Sequence, residues 1–186
     1  MKILKHIILI VIILTALGLL CRGWLYRHLV RYKSVGQRTC YLVTDKNLID
    51  YIETSSCDLK NPFIKDIIEL GLSITSQKIN FSASKNDNDP NKLIKSETAH
   101  CVGYASFYAT ICNSLLKKYN LANKWTAKRQ IGQLYFLGKI IHKYFNSSFF
   151  KDHDFVTIEN NVTGEIFAVD PVVNDYLHID FITYVK

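Results

Sequence analysis

The strongest constraint on the fold lies near the C-terminus, in HDFVTIEN (153–160) and EIFAVD (165–170). Both runs alternate or stay apolar, and the turn-forming cluster Asn160-Asn161-Val162-Thr163-Gly164 separates them, which predicts a β-hairpin. A hairpin of this kind is stable only within a sheet that has at least one covered face. Pairing Glu159 with Gly164 across a four-residue loop sets a register that places His153 opposite Asp170. Their Cα atoms would then lie about 4.5–5.5 Å apart on one face. A different loop length moves the partner by one or two residues. An imidazole and a carboxylate remain neighbours at the open end of the hairpin either way.

Helices are legible upstream. In SETAHCVGYASFYATICNSLL (96–116), Tyr104, Ala105, Tyr108, Ile111, Cys112 and Leu115 recur at helical spacing. Ser96 or Thr98 is the expected cap, and Lys117 and Lys118 suit the C-terminal end of the helix dipole. Asn61-Pro62 opens an earlier helix with the stripe Phe63, Ile64, Ile67, Ile68 and Leu72. Residues 82–92 read as an exposed loop, 124–138 as strand with Trp125 in the core, and 139–145 as a short helix. The expected class is α+β.

Cys101 sits in the first turn of the second helix, on its inward side. A helix start offers unpaired N–H groups and partial positive charge, both of which favour a thiolate. A histidine beside the sulfur stabilises that thiolate as an ion pair and returns the proton to a leaving group. A carboxylate on the other ring nitrogen fixes tautomer and orientation. Each residue alone also has a structural explanation: a buried cysteine, a solvated strand start, a strand end. The order and spacing of Cys101, His153 and Asp170 favour the catalytic one. His100, just before the helix, is expected beside the site rather than acting as its base.

These residues resemble the transglutaminase-like superfamily, cysteine enzymes with a papain-like core. The likeness rests on Cys101 followed by Tyr104 and Ala105 on a helix, on His153 opening a strand, and on Asp170-Pro171, 17 residues after His153. It covers about residues 62–172. It implies a helix packed on an antiparallel sheet and a Cys101–His153–Asp170 triad acting in acyl transfer at an amide, most simply peptide hydrolysis, with a peptide or protein as substrate. The sequence departs from the family at Ala99, Phe155 and Val172, where glycine, tryptophan and threonine are usual. The Cys101 backbone N–H is the candidate oxyanion donor.

The net charge of +7 raises the question of nucleic acid. Residues 1–40 hold seven Lys/Arg and no Asp or Glu, while the other 16 Lys/Arg balance all 16 Asp/Glu. The remainder is neutral, which argues against a nucleic-acid partner. Ile7 to Cys21 is an uncharged apolar run flanked by Lys2, Lys5 and Arg22. It is short against the about 20 residues of a full span. A transmembrane signal anchor is expected over 1–21, with a cleaved signal peptide as the competing reading. Trp24, Tyr26 and the basic residues around them then lie at the headgroups. Residues 22–60 read as a juxtamembrane connector and 61–186 as the transglutaminase-like domain, held extracytoplasmically by a single-pass anchor.

Cys101 and Cys112 stand about 16 Å apart along one helix and cannot pair with each other. Cys40 and Cys57 are free to pair in an oxidising compartment. The sequence contains no CxxC or HExxH cluster and no Gly-rich phosphate loop, so neither cofactor nor metal is expected. Asn80, Asn146 and Asn161 head glycosylation sequons of the sort an Asn-rich chain produces by chance. The rival to an enzyme is a non-catalytic, membrane-tethered binding or scaffolding module of the same fold.

Overall fold

The computed structural model describes residues 2–56, 59–84, 86–145 and 153–186. Helices α1 (Lys2–Leu20) and α2 (Arg22–Leu29) lead into strand β1 (Val30–Arg38) and helix α3 (Lys46–Ser55). Helix α4 (Ile64–Lys78), strand β2 (Asn80–Phe81), helix α5 (Pro90–Ser96) and strand β3 (Thr98–Ala99) follow. Helix α6 (Cys101–Lys118) is succeeded by strands β4 (Trp125–Phe136), β5 (Lys139–Ile140), β6 (His153–Asn160) and β7 (Ile166–Val169). Helix α7 (Pro171–Leu177) and strand β8 (Tyr184–Val185) complete the chain.

The chain is α+β, as expected. The main sheet runs β7-β6-β4-β1-β8, with β5 on β4. Its pairs are antiparallel except that β8 lies parallel to β1, so the sheet is mixed rather than wholly antiparallel. Strand β6 is buried on both faces from His153 to Ile158, which explains its nearly continuous apolar run. Alternation sends Val156 and Ile158 into one core with Ala127, Val169 and the face of α6. Phe155 goes into a second core with Tyr32, Leu134, Ala168 and Ile182.

Helix α6 is buried over most of its circumference from Gly103 to Cys112, because α4 covers the side the sheet does not. That double cover suits an apolar helix with small residues between its aromatics. Helix α4 contributes Ile67, Ile68 and Leu72 to the core. It begins after Phe63, which is exposed, because Asn61 takes a left-handed φ of 51° and Asp66 accepts the N–H of Phe63 at 2.7 Å.

Several expectations are corrected. Residues 22–60, expected as a connector, supply β1, which lies between β4 and the edge strand β8, and the amphipathic helix α3, which buries Leu48 and Ile52. The loop expected over 82–92 gives way at Pro90 to α5, with Asp89 as its cap. Residues 139–145 hold β5 and a single 3-10 turn, Ile141–Lys143, instead of an α-helix. Among the described residues no single helix is long and apolar enough to cross a membrane. Helix α1 stops at Leu20 and the chain bends by 71° into α2; the bent pair passes that test by length and composition. Cys21, Cys40, Cys101 and Cys112 are not in disulfides, while Cys57 and the Asn146 sequon lie outside the described residues.

Candidate active site

The hairpin closes between Asn160 and Glu165, whose backbones bond at 2.8 Å. The loop has the expected length but lies one residue later on each strand. Two local requirements decide this. The Asn160 side chain accepts the N–H groups of Val162 and Thr163 at 2.9 and 3.0 Å, and Gly164, at φ +75°, needs a turn position rather than a strand position. The register therefore pairs Val156 with Val169 and Glu159 with Ile166. Its continuation puts Asp170 beside Phe155, two residues from His153 but on the same face. The diagonal is short enough for contact: His153 Nε2 bonds Asp170 Oδ2, and both side chains are buried.

Asp170 is held from both ends. Its Oδ1 caps α7, accepting from Val172 and Val173 N–H at 3.0 and 3.2 Å. Pro171 at the first helical position has no N–H to offer, which accounts for the Asp-Pro pair. Its Oδ2 takes the His153 ring and the hydroxyl of Tyr32, which donates at 2.7 Å. Tyr32 in turn meets the Tyr26 hydroxyl at 2.5 Å; since its proton goes to Asp170, Tyr26 is the donor. Burial raises the carboxyl pKa of Asp170, but the His153 charge and these donors outweigh it and hold it below the ordinary value. Burial likewise works against charge on His153. The Asp170 carboxylate and the Cys101 thiol overcome that, raising its pKa to about 10.

Cys101 is the first residue of α6 and only 6% exposed. It interacts with His153 by hydrogen bond and charge. Nε2 is committed to Asp170, which leaves Nδ1 as the nitrogen available to exchange a proton with the sulfur. All three residues singled out in the sequence thus meet in one place. The cap of α6 is neither Ser96 nor Thr98, which belong to α5 and β3, but His100, whose Nδ1 accepts the Val102 N–H at 3.2 Å. Burial lowers the His100 pKa, so it stays neutral in this structural role beside the site. Tyr104, one turn in, places its hydroxyl between the Ile79 carbonyl and the Asp175 carboxylate. That ties the nucleophile's helix to the helix Asp170 caps.

Three supporting residues escaped the sequence reading. Tyr32 belongs to β1, where Arg31 and Lys33 alternate with Val30, Tyr32 and Ser34, a period-two signal cut short by the bulge between Ser34 and Gly36. Gly132 pairs with His153, and a Cβ there would stand 2.5 Å from the His153 carbonyl oxygen. An isolated glycine within a strand pattern is the available signal for such an approach. Gly103 is the third. A Cβ at Gly103 would meet the Ala99 Cβ at 2.8 Å, so the methyl at Ala99 is accommodated by its absence at 103.

Among the described residues no group of three His, Cys, Asp or Glu side chains is placed to hold a metal ion. Compared with models of protein families, with curated proteins and with solved structures, the chain matches none.

Proposed function

We propose that the protein is a transglutaminase-like cysteine enzyme with a papain-like core that cleaves amides, a peptide or protein being its substrate. The observation that carries this is the convergence of Cys101, at a helix start, with a buried His153–Asp170 pair that keeps the imidazole protonated through neutral pH. The imidazolium stabilises a Cys101 thiolate, which attacks the amide carbonyl and forms a C–S bond. His153 gives its proton to the nitrogen as the C–N bond breaks, and the amine leaves. Water then attacks the thioester, His153 takes its proton, and the acid and thiolate are released. An amine in place of water gives cross-linking by the same steps. The competing reading, a non-catalytic binding or scaffolding module, leaves the buried ion pair beside a thiol without a use.

Alkylation separates the two. At pH 6–7, iodoacetamide is expected to modify Cys101 at least tenfold faster than Cys112, whose thiol pKa burial pushes up to about 12. A Cys101→Ala variant is expected to lose turnover on a peptide library. Equal labelling of the two cysteines, or equal turnover by the variant, rejects the enzyme.

The same proposal seats α1, with the bend into α2 after it, in a membrane as the chain's single-pass anchor, with the domain outside the cytoplasm. Its support is the row of exposed leucines, isoleucines and Val11 from Leu4 to Leu20, which form no part of either core. Exposed apolar surface on that scale calls for a partner phase. Alkaline carbonate washing of membranes is expected to leave the protein in the pellet, and complete release to the supernatant would overturn the anchor.

A further inference from the structure

A cavity of about 320 Å³ opens beside the first turn of α6, lined by Arg38, Thr39, Cys40, Tyr41, Asn88, Val102 and Arg129. Val102 follows Cys101 in the first turn of α6, so the cavity opens one residue along the helix from the nucleophile, which does not itself line it. It falls within the size range of small-ligand sites, and its lining carries two arginines and no carboxylate. The acid that faces them, Asp154, is buried next to His153 and bonds Arg38 at 2.7 Å, with the Arg129 Nη2 at 3.9 Å. One carboxylate against two guanidiniums leaves a net positive charge. Outside the lining, Lys92 pairs with Asp87 at 3.0 Å and Asp89 caps α5, so the positive charge is confined to the two guanidiniums of the lining.

Arg129 is an expensive residue to place here. It is 3% exposed, and its Nη1 and Nη2 donate to the Thr39 and Val102 carbonyls at 2.9 and 3.4 Å. Its guanidinium lies 5.5 Å from the centre of the Tyr41 ring. The Arg129 Nε, also buried, has no partner in the protein. A buried cation with a spare donor is destabilising unless an acceptor is supplied. Arginine in particular suits a carboxylate, whose two oxygens match its planar donors.

We propose that this cavity binds a carboxylate of the substrate, so that the enzyme selects amides with an acidic group next to the bond it cleaves. The inference rests on the cysteine-enzyme reading for its link to cleavage, but the charge of the cavity is measurable without it, because Cys40 lines the same space. The full chain in detergent micelles is alkylated with iodoacetate and with iodoacetamide, and the rate ratio at each cysteine is compared with that of glutathione. Both Cys40 and Cys101 are expected to favour the anionic reagent by roughly fivefold over the reference. Arg38→Gln is expected to remove most of that preference. Thr39→Glu, at an exposed rim position that leaves the Arg129 contacts to backbone intact, is expected to do the same in a chain that folds normally.

N-acetylglutamate α-amide and N-acetylalanine then distinguish a side-chain from a terminal carboxylate by which one protects Cys101 from iodoacetamide. Ratios unchanged by both substitutions overturn the cavity proposal, whatever the reactivity of Cys101. A preference at Cys40 with an inert Cys101 sustains the anion site and overturns its link to cleavage.

Discussion

Asp170→Asn is expected to destabilise the protein by roughly 3–5 kcal/mol at pH 6, read from urea unfolding, and to abolish the rapid alkylation of Cys101. Asparagine keeps an acceptor for the Val172 and Val173 N–H groups, so the cap on α7 survives. What goes is the charge that compensates a fully buried imidazolium, and an uncompensated buried charge is among the costliest single defects. Tyr32→Phe removes one donor to the same carboxylate and is expected to shift stability the same way by about 1 kcal/mol.

The pH dependence identifies the cause. The His153 pKa rises from 6.5 unfolded to about 10 folded, so its contribution is complete below pH 6.5 and is lost as pH climbs towards 10. The Asp170 pKa falls from 3.8, so its contribution is present above that value and is lost as pH drops through the lower folded one. The pair therefore stabilises most between about pH 4 and 6.5. The gap between wild type and Asp170→Asn is expected to narrow steadily from pH 6.5 to 9. The difference between the two proteins cancels tyrosines and cysteines that do not interact with the pair. A gap constant over that range would mean that His153 is not held protonated by Asp170.

How far the site was legible follows from how local its determinants are. Cys101, His153 and Asp170 each sit at the start or end of an element whose periodicity is plain, so a helix start and a hairpin sufficed to bring them together. The register was misjudged because strand propensity is indifferent to a shift of two residues. The Asn160 side chain and the positive φ of Gly164 decide it. Tyr32 was invisible for a different reason. Its strand has one buried residue in nine, and an edge of charges around one tyrosine looks like the flank of an apolar N-terminus. Only its pairing with β4, about a hundred residues away in sequence, turns it into sheet. The α1–α2 bend was likewise beyond hydropathy, which scores composition and length but not direction.

Gly132→Ala tests the least conspicuous of the supporting positions. The new methyl would lie 2.5 Å from the carbonyl oxygen of His153 and 2.8 Å from the Phe155 ring. The first neighbour is backbone, held in the β4–β6 ladder, and cannot swing aside as a side-chain end does. The strands must part or slide, and overpacking of that kind costs about 2–4 kcal/mol. His153 moves with its backbone. Its ring is held by the bond to Asp170 and by contact with the Tyr32 ring at 5.9 Å between centres, so a shift of a few tenths of an ångström loosens the thiol contact first. The expected result is a lower urea midpoint together with slowed alkylation of Cys101, while Cys40, whose thiol bonds the Ala127 carbonyl at 3.5 Å further along β4, reacts as before. A variant that keeps wild-type stability and Cys101 reactivity would show that β4 yields at this point and that His153 is aimed by Asp170 alone.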